Sequence, residues 1–109
     1  MPDERIDELA ALPSALRLRF FAELCHNLTV GLRTICSSLD ANDSVLAQAR
    51  SLNDILHVAS GYLTLIAGGR EDPTRLKLVA ETVLSPSDAF VSTQIRLSWK
   101  YAMEAAIFR

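Results

Sequence analysis

The sequence predicts an all-α fold, an antiparallel helical hairpin extended to a four-helix bundle-like domain. Three observations support this prediction. Apolar residues recur at alternating spacings of three and four along two long segments, which is the period of an amphipathic helix. Prolines and turn residues divide the chain into pieces of helical length. No segment shows the sustained apolar and polar alternation that is typical of a β-strand.

The chain of 109 residues is expected to form one domain, because a second core would need roughly 50 more residues. Its first segment, residues 1–13, is acidic: Asp3, Glu4, Asp7 and Glu8 stand against Arg5 alone. This segment can add a short fifth helix to the bundle, ended by Pro13.

Residues 14–39 are predicted to form the first long helix. Ser14 is a suitable N-cap residue. The apolar side chains that follow have the spacings 3, 4, 3, 4, 3, 4, and they predict one packed stripe along the helix. The stripe consists of Leu18, Phe21, Cys25, Leu28, Leu32, Ile35 and Leu39.

Residues 45–67 are predicted to form the second long helix. Its stripe consists of Val45, Ala49, Leu52, Leu56, Ala59, Leu63 and Ile66. The turn residues at 40–44 leave only a short loop, so the two helices must pack antiparallel. The pair Gly68-Gly69 is expected to end the second helix.

A shorter helix is predicted at residues 73–84 and a final helix at residues 86–108. Asp72 precedes Pro73, which gives an N-cap followed by a proline in the first turn. The stretch Ser85-Pro86-Ser87-Asp88 repeats this combination before the final helix.

Charge and hydropathy exclude several partners. The net charge of −2 provides no basic field for phosphate contacts, so no nucleic acid partner is expected. The uncharged run at residues 55–69 is shorter than the about 20 apolar residues that cross a bilayer, so no membrane association is expected.

Cys25 and Cys36 would lie about 16 Å apart on one helix, too far for a disulfide. With no visible secretory signal, a cytoplasmic location is expected.

His26 is the candidate phosphoacceptor. The order Phe21-Ala-Glu-Leu-Cys-His26 resembles the phosphoacceptor box of histidine-kinase dimerisation domains, in which an exposed histidine on a helical hairpin takes a phosphoryl group. The resemblance covers about ten residues. The box then has an acidic residue, a Thr or Asn and a proline, where this chain has Asn27, Val30 and Gly31. Since His26 follows Cys25 by one residue, it is expected on the solvated flank of the helix.

The acid-x-x-His pairs Glu23 with His26 and Asp54 with His57 are the candidate metal ligands. Together with Glu81 and Glu104 they resemble the ligand inventory of dimetal sites in four-helix bundles. Such ligands must point into the bundle, whereas these pairs share helix flanks with Arg19 and Arg50. We therefore expect no metal and no other cofactor.

Half of the residues are hydrophobic and only 22% are charged, which is more apolar surface than so short a chain can easily bury. The sequence therefore predicts a non-enzymatic interaction module that self-associates, most simply as a homodimer, and that can also bind a protein partner. The candidate interface residues on the second and last helices are Leu65, Ile95, Trp99 and Met103. Two alternatives stay open: phosphotransfer or signalling through His26, and binding of a metal or small ligand through His26 and His57.

Overall fold

A computed structural model describes residues 3–37 and 42–108 of the chain. Within these residues it contains five α-helices and no strand, which confirms the predicted all-α, bundle-like fold. The helices are α1 (Glu4–Ala11), α2 (Ser14–Cys36), α3 (Asp43–Ala67), α4 (Pro73–Val83) and α5 (Ala89–Phe108).

Side-chain caps fix where the helices begin. The Asp3 carboxylate accepts a hydrogen bond from the Arg5 N–H at 2.9 Å and starts α1. Asn42 accepts from the Val45 N–H at 3.0 Å, so α3 begins two residues before the predicted position. Asp72 caps α4 as predicted, with Pro73 in the first turn.

Further predictions about helix ends differ from the structure. α5 begins at Ala89 rather than at Pro86, because Asp88 caps it by accepting from the Val91 N–H at 3.0 Å. Ser14 is not the cap of α2: Pro13 occupies that position, and no side chain caps the helix. α2 ends at Cys36, while residues 38–41, including Leu39, lie outside the described residues.

α3 ends at the predicted glycine pair. Gly69 adopts a φ of +70°, a left-handed conformation that favours glycine. The N–H of Gly69 donates to the Ile66 carbonyl at 3.0 Å, and that of Arg70 donates to the Leu65 carbonyl at 2.8 Å. These two bonds form a Schellman motif, which satisfies carbonyl groups at the helix end.

α2 is the central helix, because it packs along both α3 and α5. Two of its aromatic rings face different neighbours: Phe21 contacts Tyr62 of α3 at 5.0 Å between ring centroids, and Phe20 contacts Trp99 of α5 at 4.8 Å. Phe20 and Phe21 also contact each other edge to face. One connected aromatic cluster therefore joins the three long helices.

The packed stripes of the hairpin differ from the predicted ones at alternate positions. In α3 the buried residues are Leu52, Ile55, Ala59, Tyr62 and Ile66. In α2 they are Phe20, Phe21, Leu24, Leu28 and Ile35, whereas Leu18 is exposed and Cys25 and Leu32 are half-buried. In both helices most buried residues are still three or four positions apart. At several positions, however, the buried residue is the one directly before the predicted residue, as with Leu24 in place of Cys25.

Candidate functional site

α2 and α5 run antiparallel and approach closely along their middle turns. The Asn27 side-chain amide donates to the Ser98 carbonyl oxygen at 3.2 Å. One turn further along α2, a methyl group at Gly31 would lie 3.4 Å from the Gln94 side-chain oxygen. Gly31 and Gln94 are therefore in contact across the two helices at this level, and the outer faces of the helices form one surface.

Two grooves run along this surface and share Asn27 and Tyr101. The first has a volume of about 440 Å³. 

 The second groove has a volume of about 490 Å³. His26 and Val30 of α2 border the first groove, and Glu23 borders the second. Neither groove is enclosed, so together they form a shallow channel between the two helices.

The outer side of α5 carries a line of residues beside these grooves, all exposed except Gln94, which is half-buried. Its members are spaced 4, 3, 4, 3 and 4 residues apart, which keeps them within about 80° of arc on the helix surface. We call this line the α5 stripe; it consists of Phe90, Gln94, Leu97, Tyr101, Glu104 and Phe108. Its four apolar side chains are exposed by 42%, 43%, 54% and 79% in chain order. Together with Glu23, His26, Asn27 and Val30 of α2, the stripe forms the α2–α5 face.

Three of the four predicted interface residues do not lie on the surface. Ile95, Trp99 and Met103 are buried in the core of the chain itself, where Trp99 packs against Phe20. They face inward because α5 packs against α2 on that side. Leu65 is half-buried and lines a groove between α3 and α4. The exposed apolar residues of α5 are therefore neighbours of the predicted ones, on a different face of the helix.

His26 is exposed, as the sequence predicts, and borders the groove between α2 and α5. Val30, which follows it by one turn, is 48% exposed. The Asn27 amide beside it is held by the Ser98 carbonyl. The imidazole is thus open to solvent at the edge of an apolar surface.

The two candidate histidines lie in different grooves. His26 borders the groove between α2 and α5, whereas His57 borders the groove between α3 and α4. Of the proposed carboxylates, Glu23 is half-buried, and Asp54, Glu81 and Glu104 are exposed. Across residues 3–37 and 42–108, no three His, Cys, Asp or Glu residues come together in a group that could hold a metal ion.

An ion pair that the sequence does not reveal joins the start of α2 to the loop before α4. The Arg17 guanidinium donates to both carboxylate oxygens of Glu71, at 3.0 and 2.8 Å, and Ser14 donates to Glu71 at 3.1 Å. Arg17 also donates to the carbonyls of Ala10 and Leu12. The hydrogen bonds from Arg17 lower the pKa of Glu71 below its ordinary value.

This ion pair borders a cleft of about 260 Å³ that is also lined by Tyr62 and Leu76. The donors of Arg17 are directed to Glu71 and to two backbone carbonyls. The arrangement therefore fixes the positions of α1, α2 and the loop before α4, and we assign it a structural role.

The two cysteines have different surroundings. Cys25 is half-buried, and burial raises the pKa of its thiol above the ordinary value. Cys36 is exposed at the end of α2. Both are free thiols, in agreement with the separation expected from their positions on one helix.

Comparisons with known proteins return no match: no family model, no curated protein and no solved structure corresponds to this chain. None of the helices in the described part of the chain has the length and hydropathy needed to cross a membrane.

Proposed function

We propose that this protein is a non-enzymatic helical interaction module that self-associates as a homodimer through its α2–α5 face. The observation that carries the proposal is the α5 stripe, in which four large apolar side chains remain exposed on one side of one helix. Scattered apolar residues are normal on a protein surface, but an aligned set beside a second helix marks an interaction site.

The exposed aromatic surface is large enough to form the centre of an interface. Phe90, Tyr101 and Phe108 are exposed by 42%, 54% and 79%, which corresponds to roughly 350 Å² if a whole aromatic side chain presents about 200 Å². A stable protein interface buries about 800 Å² on each partner. The three rings would therefore supply almost half of that area, and polar residues at the rim would supply the rest.

The surroundings of the stripe have the composition of an interface rim. Glu23 and His26 flank it on the α2 side, while Arg96 and Lys100 flank it on the opposite side of α5. Interfaces between protein chains typically place apolar and aromatic residues at the centre and charged residues at the edge.

Sedimentation velocity at micromolar concentrations tests the proposal with two matched variants. Tyr101→Glu places a charge in the centre of the face and should raise the dimer dissociation constant at least about 30-fold, which corresponds to about 2 kcal/mol. Leu78→Glu is the control, since Leu78 is 58% exposed on α4, away from the face. A monomeric wild type, or equal weakening by both variants, would contradict the proposal. Trp99 is unsuitable for such a test because it is buried.

Phosphotransfer through His26 is the second candidate function. One observation favours it: the exposed imidazole borders an apolar surface on which a donor protein can dock. Incubation with phosphoramidate, a small phosphoryl donor, followed by mass spectrometry tests it. A phosphoryl group on His26 that is absent from His26→Ala supports this function, and an unmodified histidine argues against it.

The proposal includes a cytoplasmic location. The free thiols of Cys25 and Cys36 favour a reducing compartment, where thiols remain unpaired.

A further inference from the structure

The α5 stripe has a palindromic order. Read from either end, it gives phenylalanine, a polar residue, a large apolar residue, a large apolar residue, a polar residue and phenylalanine. The residue numbers of the three pairs are symmetric about position 99: Phe90 with Phe108, Gln94 with Glu104, and Leu97 with Tyr101. A surface with this symmetry is complementary to a second copy of itself that runs in the opposite direction.

We propose that two copies of α5 pack antiparallel around a twofold axis at the level of Trp99, so that each pair is formed between the two chains. This inference rests on the proposed self-association and specifies its geometry. Phe90 of one chain packs against Phe108 of the second copy, and Leu97 packs against Tyr101 of the second copy. Gln94 lies opposite Glu104 of the second copy.

The polar positions favour the antiparallel arrangement over a parallel one. In a parallel twofold pair each residue meets its own counterpart, so the two Glu104 carboxylates would face each other near the interface. Like charges opposite one another are destabilising. In the antiparallel pair each Glu104 carboxylate instead meets a Gln94 amide, which has two N–H donors. Lys100 lies on the flank of α5 that faces away from α2, where its amine is exposed to solvent.

The length of the stripe agrees with a helix-to-helix contact. Eighteen residues separate its end positions, which corresponds to about 27 Å along the helix axis. Both flanks remain open to such a contact: the α2 flank forms the grooves bordered by Val30 and Asn27, and the other flank carries Arg96 and Lys100. In the antiparallel arrangement α2 of each chain also lies opposite α2 of the second copy, which gives a four-helix contact layer.

Reversal of the charge at two positions tests the register. Gln94→Lys should lower the dimer dissociation constant about threefold to tenfold, because it forms two exposed ion pairs with Glu104 of the other copy. Gln94→Glu should raise it by a similar factor. In a Glu104→Lys background the order must reverse, so that Gln94→Glu then gives the tighter dimer. Circular dichroism of each variant confirms that the helices are retained.

A zero-length carbodiimide cross-link on the Gln94→Lys variant gives an independent result. Positions 94 and 104 of one chain lie about 15 Å apart along the helix, so an amide bond between the new amine and Glu104 can form only between chains. We expect a cross-linked dimer joined by this pair, and none for Gln94→Lys with Glu104→Gln. The protein can dimerise while a charge at position 94 changes the dissociation constant in the same direction with Glu104 and with Glu104→Lys. In that case the proposed register is wrong, but the proposed self-association is not contradicted. If the wild type is monomeric, both proposals fail.

Discussion

Neighbouring residues in the middle of α2 have opposite surroundings. Leu24 and Leu28 are buried almost completely, whereas His26 between them is exposed beside the α2–α5 groove. One residue rotates a side chain by about 100° around a helix, which is enough to move it from the core to solvent. The contribution of a residue to stability therefore depends on its position around the helix more than on its position along it.

His26→Ala should change the free energy of unfolding by less than about 0.5 kcal/mol, as exposed substitutions usually do. Leu28→Ala should lower it by about 2–5 kcal/mol, because it leaves a cavity in the core. Urea unfolding of the two variants measures both values. If His26→Ala proved as destabilising as Leu28→Ala, the histidine would have to be buried, and it would no longer be available as a phosphoacceptor.

The sequence predicts the existence of the packed stripes but not every member. Leu24 and Cys25 are adjacent and both apolar, so the spacings of three and four fit either one, and only the packing partner selects Leu24. The same ambiguity applies to Ile55 and Leu56 in α3. Phe20 is buried because α2 packs against α5 as well as α3. A sequence prediction that looks for one apolar stripe per helix does not detect a second packed side.

The starts of four helices and the end of α3 are fixed in different ways. Asp3, Asn42, Asp72 and Asp88 start helices through side-chain oxygens, whereas α3 ends through the backbone conformation of Gly69. Caps of this kind can be predicted from sequence when one suitable residue is present, as at Asp72. When several suitable cap residues are adjacent, as in Ser85-Pro86-Ser87-Asp88, the sequence does not show which one caps the helix.

Two glycines of the same region should respond in opposite directions to alanine. Gly69→Ala should lower the free energy of unfolding by about 1 kcal/mol, because alanine is strained in the left-handed conformation. Gly61→Ala should raise it by up to about 1 kcal/mol, since Gly61 lies inside α3 and a methyl group there meets no atom within 4 Å. Thermal unfolding measures both changes. Equal effects of the two substitutions would contradict the Schellman motif at the end of α3.

The ion pair between Arg17 and Glu71 should make the attachment of α2 to the loop before α4 dependent on pH. Because folding lowers the pKa of Glu71, the carboxylate stabilises the fold at pH values above its unfolded pKa of about 4.3. This contribution is lost as the pH falls through the lower folded pKa. Glu71→Gln should therefore cost about 1 kcal/mol at neutral pH and little at strongly acidic pH.

Chemical unfolding of wild type and Glu71→Gln between pH 7 and about pH 2 measures this difference. Glu81→Gln is the matched control, since Glu81 is exposed on α4 and the structure shows no ion pair for it within the described residues. A constant difference between wild type and Glu71→Gln across the whole range would contradict the role of the ionised carboxylate.

At the scale of the whole molecule, α5 has more apolar surface than one small core can bury. Ile95, Trp99 and Met103 occupy the core, while Leu97 and Tyr101 remain exposed. The sequence predicts this excess, because α5 is apolar around most of its circumference. It does not predict which side faces inward, since that depends on how α2 packs against α5. For this reason the expectation of a partner stands as a proposal, while three of the four predicted contact residues lie in the core of the chain itself.

Self-association through the α2–α5 face is tested most directly by isotope-filtered nuclear Overhauser spectroscopy. The sample is a mixture of ¹³C-labelled and unlabelled chains. The filter removes contacts within one chain, so only protons of different chains give signals. We expect intermolecular signals from the Leu97 methyl groups to the Tyr101 ring, and from the Phe90 ring to the Phe108 ring. A monomer without such signals, or intermolecular signals confined to Leu46 and Leu78, would contradict the proposal.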